Sequence, residues 1–92
     1  MKKLKILTVC GLGQGSSLIL RMNVESVLKE LKLDADVDNS DVSSAVFEKP
    51  DVIITNKELA ENLKGSSIPV LIVKNYFDKE EIKQVLQKFF EN

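Results

Sequence analysis

Residues 4–17, LKILTVCGLGQGSS, hold the transition on which the fold turns. Leu4 to Val9 form a run of aliphatic and β-branched residues, the composition of a buried strand. At Cys10 the run breaks into Gly11, Gly13 and Gly15 at alternate positions, followed by Ser16 and Ser17. This pattern predicts a strand, a backbone nest and a helix N-terminus, an arrangement whose free N–H groups and positive helix end hold an anion. The same groups favour thiolate over thiol, so Cys10 is expected to titrate below the ordinary thiol range. A plain turn needs one residue at positive φ, whereas this loop supplies three glycines, which points to a purpose beyond turning the chain. Cys10 is the only cysteine of the 92 residues, and the chain has no histidine. A lone cysteine is most often a small buried hydrophobe, but one entering a glycine-rich loop at a strand's end is better placed for attack than for packing.

Strand and helix signals alternate outward from this loop. Ser17 to Leu31 carry Leu20, Val24, Val27, Leu28 and Leu31 at helical spacing. Leu33, Ala35 and Val37 then alternate with Asp34, Asp36 and Asp38, the period of a strand with one wet face. Ser40 to Phe47 predict a short, weak helix, and Val52, Ile53 and Ile54 a compact strand. Asn56 can cap a helix through Leu63, and Ile68 to Val73 form a last strand after Gly65. Asp78 with Glu81 three residues later predicts a capping box, opening a helix on which Ile82, Val85, Leu86 and Phe89 share a face.

Four strands alternating with four helices predict a parallel sheet covered on both faces, a three-layer αβα architecture. The carboxylates of the second strand need water, which puts that strand at one edge. Pro69 cannot donate to a ladder and is best tolerated at an edge or at a strand's first position, which puts the fourth strand at the other. The first and third strands, apolar on both faces, are left for the centre. With right-handed crossovers the order is 2-1-3-4, a Rossmann-like sheet similar to that of the low-molecular-weight phosphatases. Such sheets bind ligands in the crevice outside the carboxyl ends of the strands where the winding reverses, and Cys10 falls there.

Composition narrows the partners. A chain that is 43% hydrophobic and 29% charged is ordinary for one globular domain, taken here as residues 1–92. Thirteen basic and fourteen acidic side chains give a net charge of −1 with neither sign gathered into a block, which argues against nucleic acid as a partner. The start, MKKLKILTVC, looks like a secretory signal leading to a lipoprotein-type cysteine. About six residues separate Lys3 from Cys10, however, where a signal core has roughly 7–15, and bulky Val9 stands where cleavage needs a small residue. With no run near the ~18 apolar residues of a membrane span, no direct membrane insertion is expected, and a reactive thiol fits a reducing cytoplasm.

Spacing demotes several phosphate motifs. A Walker A loop needs Lys-Ser or Lys-Thr after the glycines, and neither is present. Gly11, Gly13 and Ser16 sit in the three positions of the dinucleotide fingerprint, with Asp36 or Asp38 at the end of the next strand. A nicotinamide cofactor needs two mononucleotide halves, and this chain has room for about one. The low-molecular-weight tyrosine phosphatases have a loop of cysteine, five residues, then Arg and Ser or Thr. Here Ser16 stands at the arginine's place, so nothing clamps the oxygens of a phosphoryl group in flight. Asp78 is the only candidate for a catalytic acid, and capping explains it. The loop therefore suits a phosphoryl group that is held without being hydrolysed.

The run Cys10, Gly11, Leu12, Gly13, Gln14, Gly15, Ser16 and Ser17 resembles the CGxGxGSS active-site loop of IIB components of the bacterial phosphoenolpyruvate-dependent sugar phosphotransferase system. Within the lactose/galactitol/ascorbate group it looks most like the ascorbate branch, although Leu12 stands where a small or polar residue is expected. The resemblance implies a phosphotransferase relay. A IIA protein bearing phosphohistidine donates to Cys10, and the cysteinyl phosphate passes to a sugar held by a IIC membrane protein. It further implies that Gly11 to Ser17 surround the phosphate with backbone and hydroxyl donors, and that no metal or cofactor takes part. The chain itself is expected to be monomeric. The alternative reading is a phosphatase- or arsenate-reductase-like enzyme, or a non-catalytic anion-binding regulatory module.

Overall fold

The computed structural model describes residues 4–9, 14–45, 47–63, 65 and 67–91, with the backbone alone at 14–17, 42 and 43. Along the chain run β1 (Leu4–Val9), α1 (Gln14–Glu30), β2 (Ala35–Ser40), α2 (Val42–Ala45), β3 (Val52–Thr55), α3 (Lys57–Asn62), β4 (Val70–Ile72) and α4 (Lys79–Glu91). The strands pair in parallel in the order β2-β1-β3-β4, as patterning predicts. All six residues of β1 pair with β2, from Leu4↔Ala35 to Val9↔Ser40, while Ile6, Leu7 and Thr8 pair with Val52, Ile53 and Ile54 on the other side.

Alternation along the strands divides the core in two. Ile6, Val37, Val52 and Ile54 face Leu20, Val24, Val27 and Leu28 of α1 and Ile82 and Leu86 of α4. On the opposite face Leu7, Val9 and Ile53 pack with Ala45, Leu59 and Leu63. Each fully buried aliphatic side chain contributes about 1.5–3 kcal/mol relative to its exposed state, so β1 and β3, apolar on both sides, belong in the middle. Asp34, Asp36 and Asp38 are exposed, as the wet face of an edge strand requires.

Five departures from the sequence reading have a clear local reason, beyond shifts of one residue at the ends of α1, β3 and α3. Helix α1 begins at Gln14 rather than Ser17, so Gly15 has helical backbone and is not a positive-φ turn residue. Strand β2 begins at Ala35 rather than Leu33, because Leu33 closes α1: its N–H donates to Leu28 O at 2.9 Å and that of Lys32 to Lys29 O at 3.1 Å. These two bonds make a Schellman cap with Lys32, φ 57°, in the left-handed position usually held by glycine. Ser40 then ends β2 instead of opening a helix, and α2 shrinks to four residues capped by Asp41 Oδ1, which accepts from Ser44 N at 2.8 Å. Strand β4 covers only Val70–Ile72: Pro69, with no N–H to give, bounds its start, while the Val73 N–H past its end still donates to Thr55 O at 2.9 Å. The Pro69 carbonyl still serves the ladder by accepting from Ile53 N at 2.9 Å.

The fifth difference is the capping box. Asp78 Oδ1 accepts from the N–H groups of Glu80 and Glu81 at 3.1 and 3.2 Å, as a cap does. The Glu81 carboxylate does not reach back to the Asp78 N–H, which is already given to Asn75 O at 3.0 Å. It accepts instead from the N–H groups of Lys74 and Asn75 at 2.7 and 3.0 Å, fastening the start of the loop between β4 and α4.

The left-handed Lys32 offers a test of this account. A side chain disfavours that backbone region, so Lys32→Gly should stabilise the protein by roughly 0.5–1 kcal/mol, less the entropy glycine adds to the unfolded chain. A rise in the urea midpoint at unchanged m-value is the expected result. A fall would show that the lysine side chain contributes more than its backbone costs.

Candidate functional site

The carboxyl ends of the four strands lie along one edge of the sheet, and the polar side chains there tie neighbouring elements together. Thr8 Oγ1, buried near the end of β1, donates to Asp38 O of β2 at 3.2 Å. Thr55 Oγ1, buried at the end of β3, donates to Val9 O of β1 at 2.7 Å. Beyond Thr55, Asn56 adopts extended backbone and accepts from Leu59 N at 2.8 Å, capping α3 as its position predicts. Across the edge, Asn23 Nδ2 of α1 donates to Tyr76 O at 2.7 Å, linking α1 to the loop that Glu81 holds. That loop presents Phe77, 72% exposed, to solvent.

Of the predicted site residues, Gln14, Gly15, Ser16 and Ser17 form the first turn of α1. The N–H groups of Gln14, Gly15 and Ser16 are thus among those that a helix leaves without intrahelical partners, at the positive end of its dipole. Cys10, Gly11, Leu12 and Gly13 lie outside the described residues. Strand β1 ends at the buried Val9, and α1 begins five residues later at Gln14. Asp78, named from the sequence as the candidate catalytic acid, serves as the cap of α4. Among the described residues no group of three or more Asp, Glu, Cys or His could hold a metal ion. No helix among them is long and apolar enough to cross a membrane.

An open cavity of about 690 Å³ is lined by Lys49, Pro50, Asn62, Leu63, Gly65, Ser67 and Ile68. Pro50 and Ile68 precede β3 and β4, so this hollow is at the amino ends of the strands, opposite the edge where parallel sheets of this kind place their chemistry.

The family model for the lactose/cellobiose-specific IIB subunit of the PTS system matches residues 5–88. The chain belongs to that IIB family. IIB domains are phosphotransferases of a sugar phosphotransferase system and work with IIA and IIC partners. This IIB chain is 33% identical over 93 residues to the ascorbate-specific PTS system EIIB component of Mycoplasma pneumoniae, covering 95% of each. Its fold is similar to the lactose-specific IIB domain of Streptococcus pneumoniae, with TM-score 0.67 and 18% identity over 98% of this chain and 97% of that one. The cellobiose-specific IIB protein of Borrelia burgdorferi is similar too, with TM-score 0.65 and 24% identity over 99% of this chain and 94% of that one.

The IIB chain contains a single arginine, Arg21. It stands seven residues past the start of α1, about 10 Å along the helix. Its Nη1 donates to Asn39 Oδ1 at 3.1 Å and lies 3.7 Å from Asp38 Oδ1, while Nε is 3.8 Å from Glu25 Oε1. Sequence reasoning placed no arginine in the loop, and the structure gives this one an occupation at the β2 edge. It missed the two threonines, although a hydroxyl ending the otherwise aliphatic VIIT of β3 was a visible signal.

Arg21→Gln should therefore leave phosphoryl acceptance within about twofold of wild type and lower stability by no more than about 1 kcal/mol, the range of exposed ion pairs. Transfer from a phosphorylated IIA protein, read beside a urea melt, checks both. A collapse of transfer at intact stability would make Arg21 part of the phosphate site.

Proposed function

We propose that Cys10 is the phosphoryl carrier of this IIB chain, taking the group from phosphohistidine on a IIA protein and passing it to ascorbate or a related sugar held by a IIC membrane protein. The observation that carries this reading is the position of the only thiol, directly after the buried end of the central strand β1 and four residues before the first turn of α1. In the first step the thiolate sulfur attacks phosphorus, the P–N bond of phosphohistidine breaks, and the imidazole leaves with its bonding pair. In the second, a sugar hydroxyl oxygen attacks, the S–P bond breaks, the thiolate returns and the hydroxyl proton goes to a base. The chain has no histidine, so the donor imidazole comes from the partner.

The free N–H groups of Gln14, Gly15 and Ser16 at the start of α1 support the loop assignment, with Gly11, Leu12, Gly13, Gln14, Gly15, Ser16 and Ser17 around the phosphate. The engagement of Arg21 and Asp78 elsewhere supports a carrier over a hydrolase, because a hydrolase of this fold needs a free guanidinium and an acid at the loop. Ascorbate as the sugar is supported by the loop pattern and by the name of the Mycoplasma pneumoniae relative. The chemistry needs no metal or cofactor, and the cytoplasm, where the thiol stays reduced, is the compartment that suits it.

After incubation with phosphorylated IIA, mass spectrometry should find one phosphoryl adduct on Cys10 and none on Cys10→Ser. An adduct that survives in Cys10→Ser, or sits on Ser16 or Ser17, sinks the assignment. Transfer to ascorbate but not to lactose or cellobiose, in membranes carrying the cognate IIC, tests the sugar.

A further inference from the structure

Thr55 ends a strand whose other residues are Val52, Ile53 and Ile54, and it is fully buried. Valine would fill the same volume without a polar atom, and a buried hydroxyl is unfavourable unless it is hydrogen-bonded. Its partner is specific. Thr55 Oγ1 donates to Val9 O at 2.7 Å, a good O–H···O distance. The last pair of the β1–β3 ladder is Thr8↔Ile54, so the side-chain bond holds the β1 carbonyl one step beyond the point where strand pairing stops. On the other side Thr8 Oγ1 donates to Asp38 O at 3.2 Å, and the end of β1 is thereby tied to both neighbours.

The peptide group is planar, so fixing the Val9 carbonyl fixes the plane in which the chain leaves the sheet towards residue 10. A hydrogen bond accepted at that carbonyl also polarises the peptide and makes its N–H a stronger donor. We infer that Thr55 is a positioning residue for phosphoryl acceptance at Cys10, setting through the Val9 carbonyl the direction and polarity of the peptide from which the thiol-bearing loop departs. The inference rests on the reading of Cys10 as the phosphoryl acceptor.

Thr55→Val and Thr55→Ser separate the donor from the methyl group. The readouts are the rate of phosphoryl acceptance from phosphorylated IIA, the pH dependence of Cys10 alkylation by iodoacetamide, and the urea midpoint. In Thr55→Val acceptance should slow by up to about tenfold, the worth of one hydrogen bond, and the alkylation midpoint should move upward. Thr55→Ser should restore both. A folded Thr55→Val with wild-type acceptance and alkylation overturns the inference, as does a Thr55→Ser impaired as much as Thr55→Val. Should Thr55→Val fail to fold, Thr55→Ala against Thr55→Ser decides by the same criteria. A wild-type protein that takes no phosphoryl group on Cys10 defeats the acceptor reading itself. A phosphorylated wild type beside an unchanged Thr55→Val defeats the Thr55 assignment alone.

Discussion

Strand β1 is flanked by partners on both sides and covered by helices on both faces, and this double burial constrains the rest of the molecule. The buried part of a strand so placed must be apolar, which Ile6, Leu7 and Val9 satisfy while Lys5 stands at its half-exposed start, and a buried polar residue must find a bond, which Thr8 does. Helix α1, which begins five residues after Val9, covers Ile6 on one face, and the Asn23 to Tyr76 bond joins it to the far side of the same sheet edge.

The sheet order was legible because its causes are compositional. Alternating carboxylates need water, a proline cannot donate, and strands without either go to the centre. Boundaries were less legible because they depend on partners. Leu33 has the apolar character of a strand residue, yet its N–H is claimed by Leu28 O, which a period-two pattern cannot reveal. Glu81 has the spacing of a capping box, yet the donor it was meant to satisfy already has a partner and its carboxylate turns to Lys74 and Asn75. At the site, residue types suggested an anion-holding turn over residues 10–17, of which the described part, residues 14–17, is the first turn of α1. The threonines at the strand ends stood out as hydroxyls in aliphatic runs, but their partners, Asp38 O and Val9 O, depend on residue-level register, which composition does not fix.

The polar bonds of the carboxyl edge differ in kind from the packing that holds the core. Thr8, Thr55 and Glu81 each satisfy a backbone group of another segment at the edge, namely Asp38 O, Val9 O, and the N–H groups of Lys74 and Asn75. Hydrophobic burial is non-directional and fixes which surfaces meet, whereas these bonds fix the orientation of particular peptide groups. Group transfer depends on orientation within fractions of an ångström, and directional bonds therefore belong where the chain enters the loop.

On the proposed reading a carrier has requirements opposed to those of a hydrolase of similar topology. It must bind a phosphoryl group well enough to accept it, yet leave the barrier to attack by water high. First-turn N–H groups at the start of α1 offer partial charge to the ground-state phosphate, while the full charge that would stabilise phosphoryl in flight is withheld. The sole guanidinium is held by Asn39, Asp38 and Glu25. Phosphoryl transfer is mostly positioning and charge stabilisation, so a site lacking that charge is slow until another molecule completes it. A docked partner does so while excluding water, which couples the chemistry to the presence of the correct donor or acceptor.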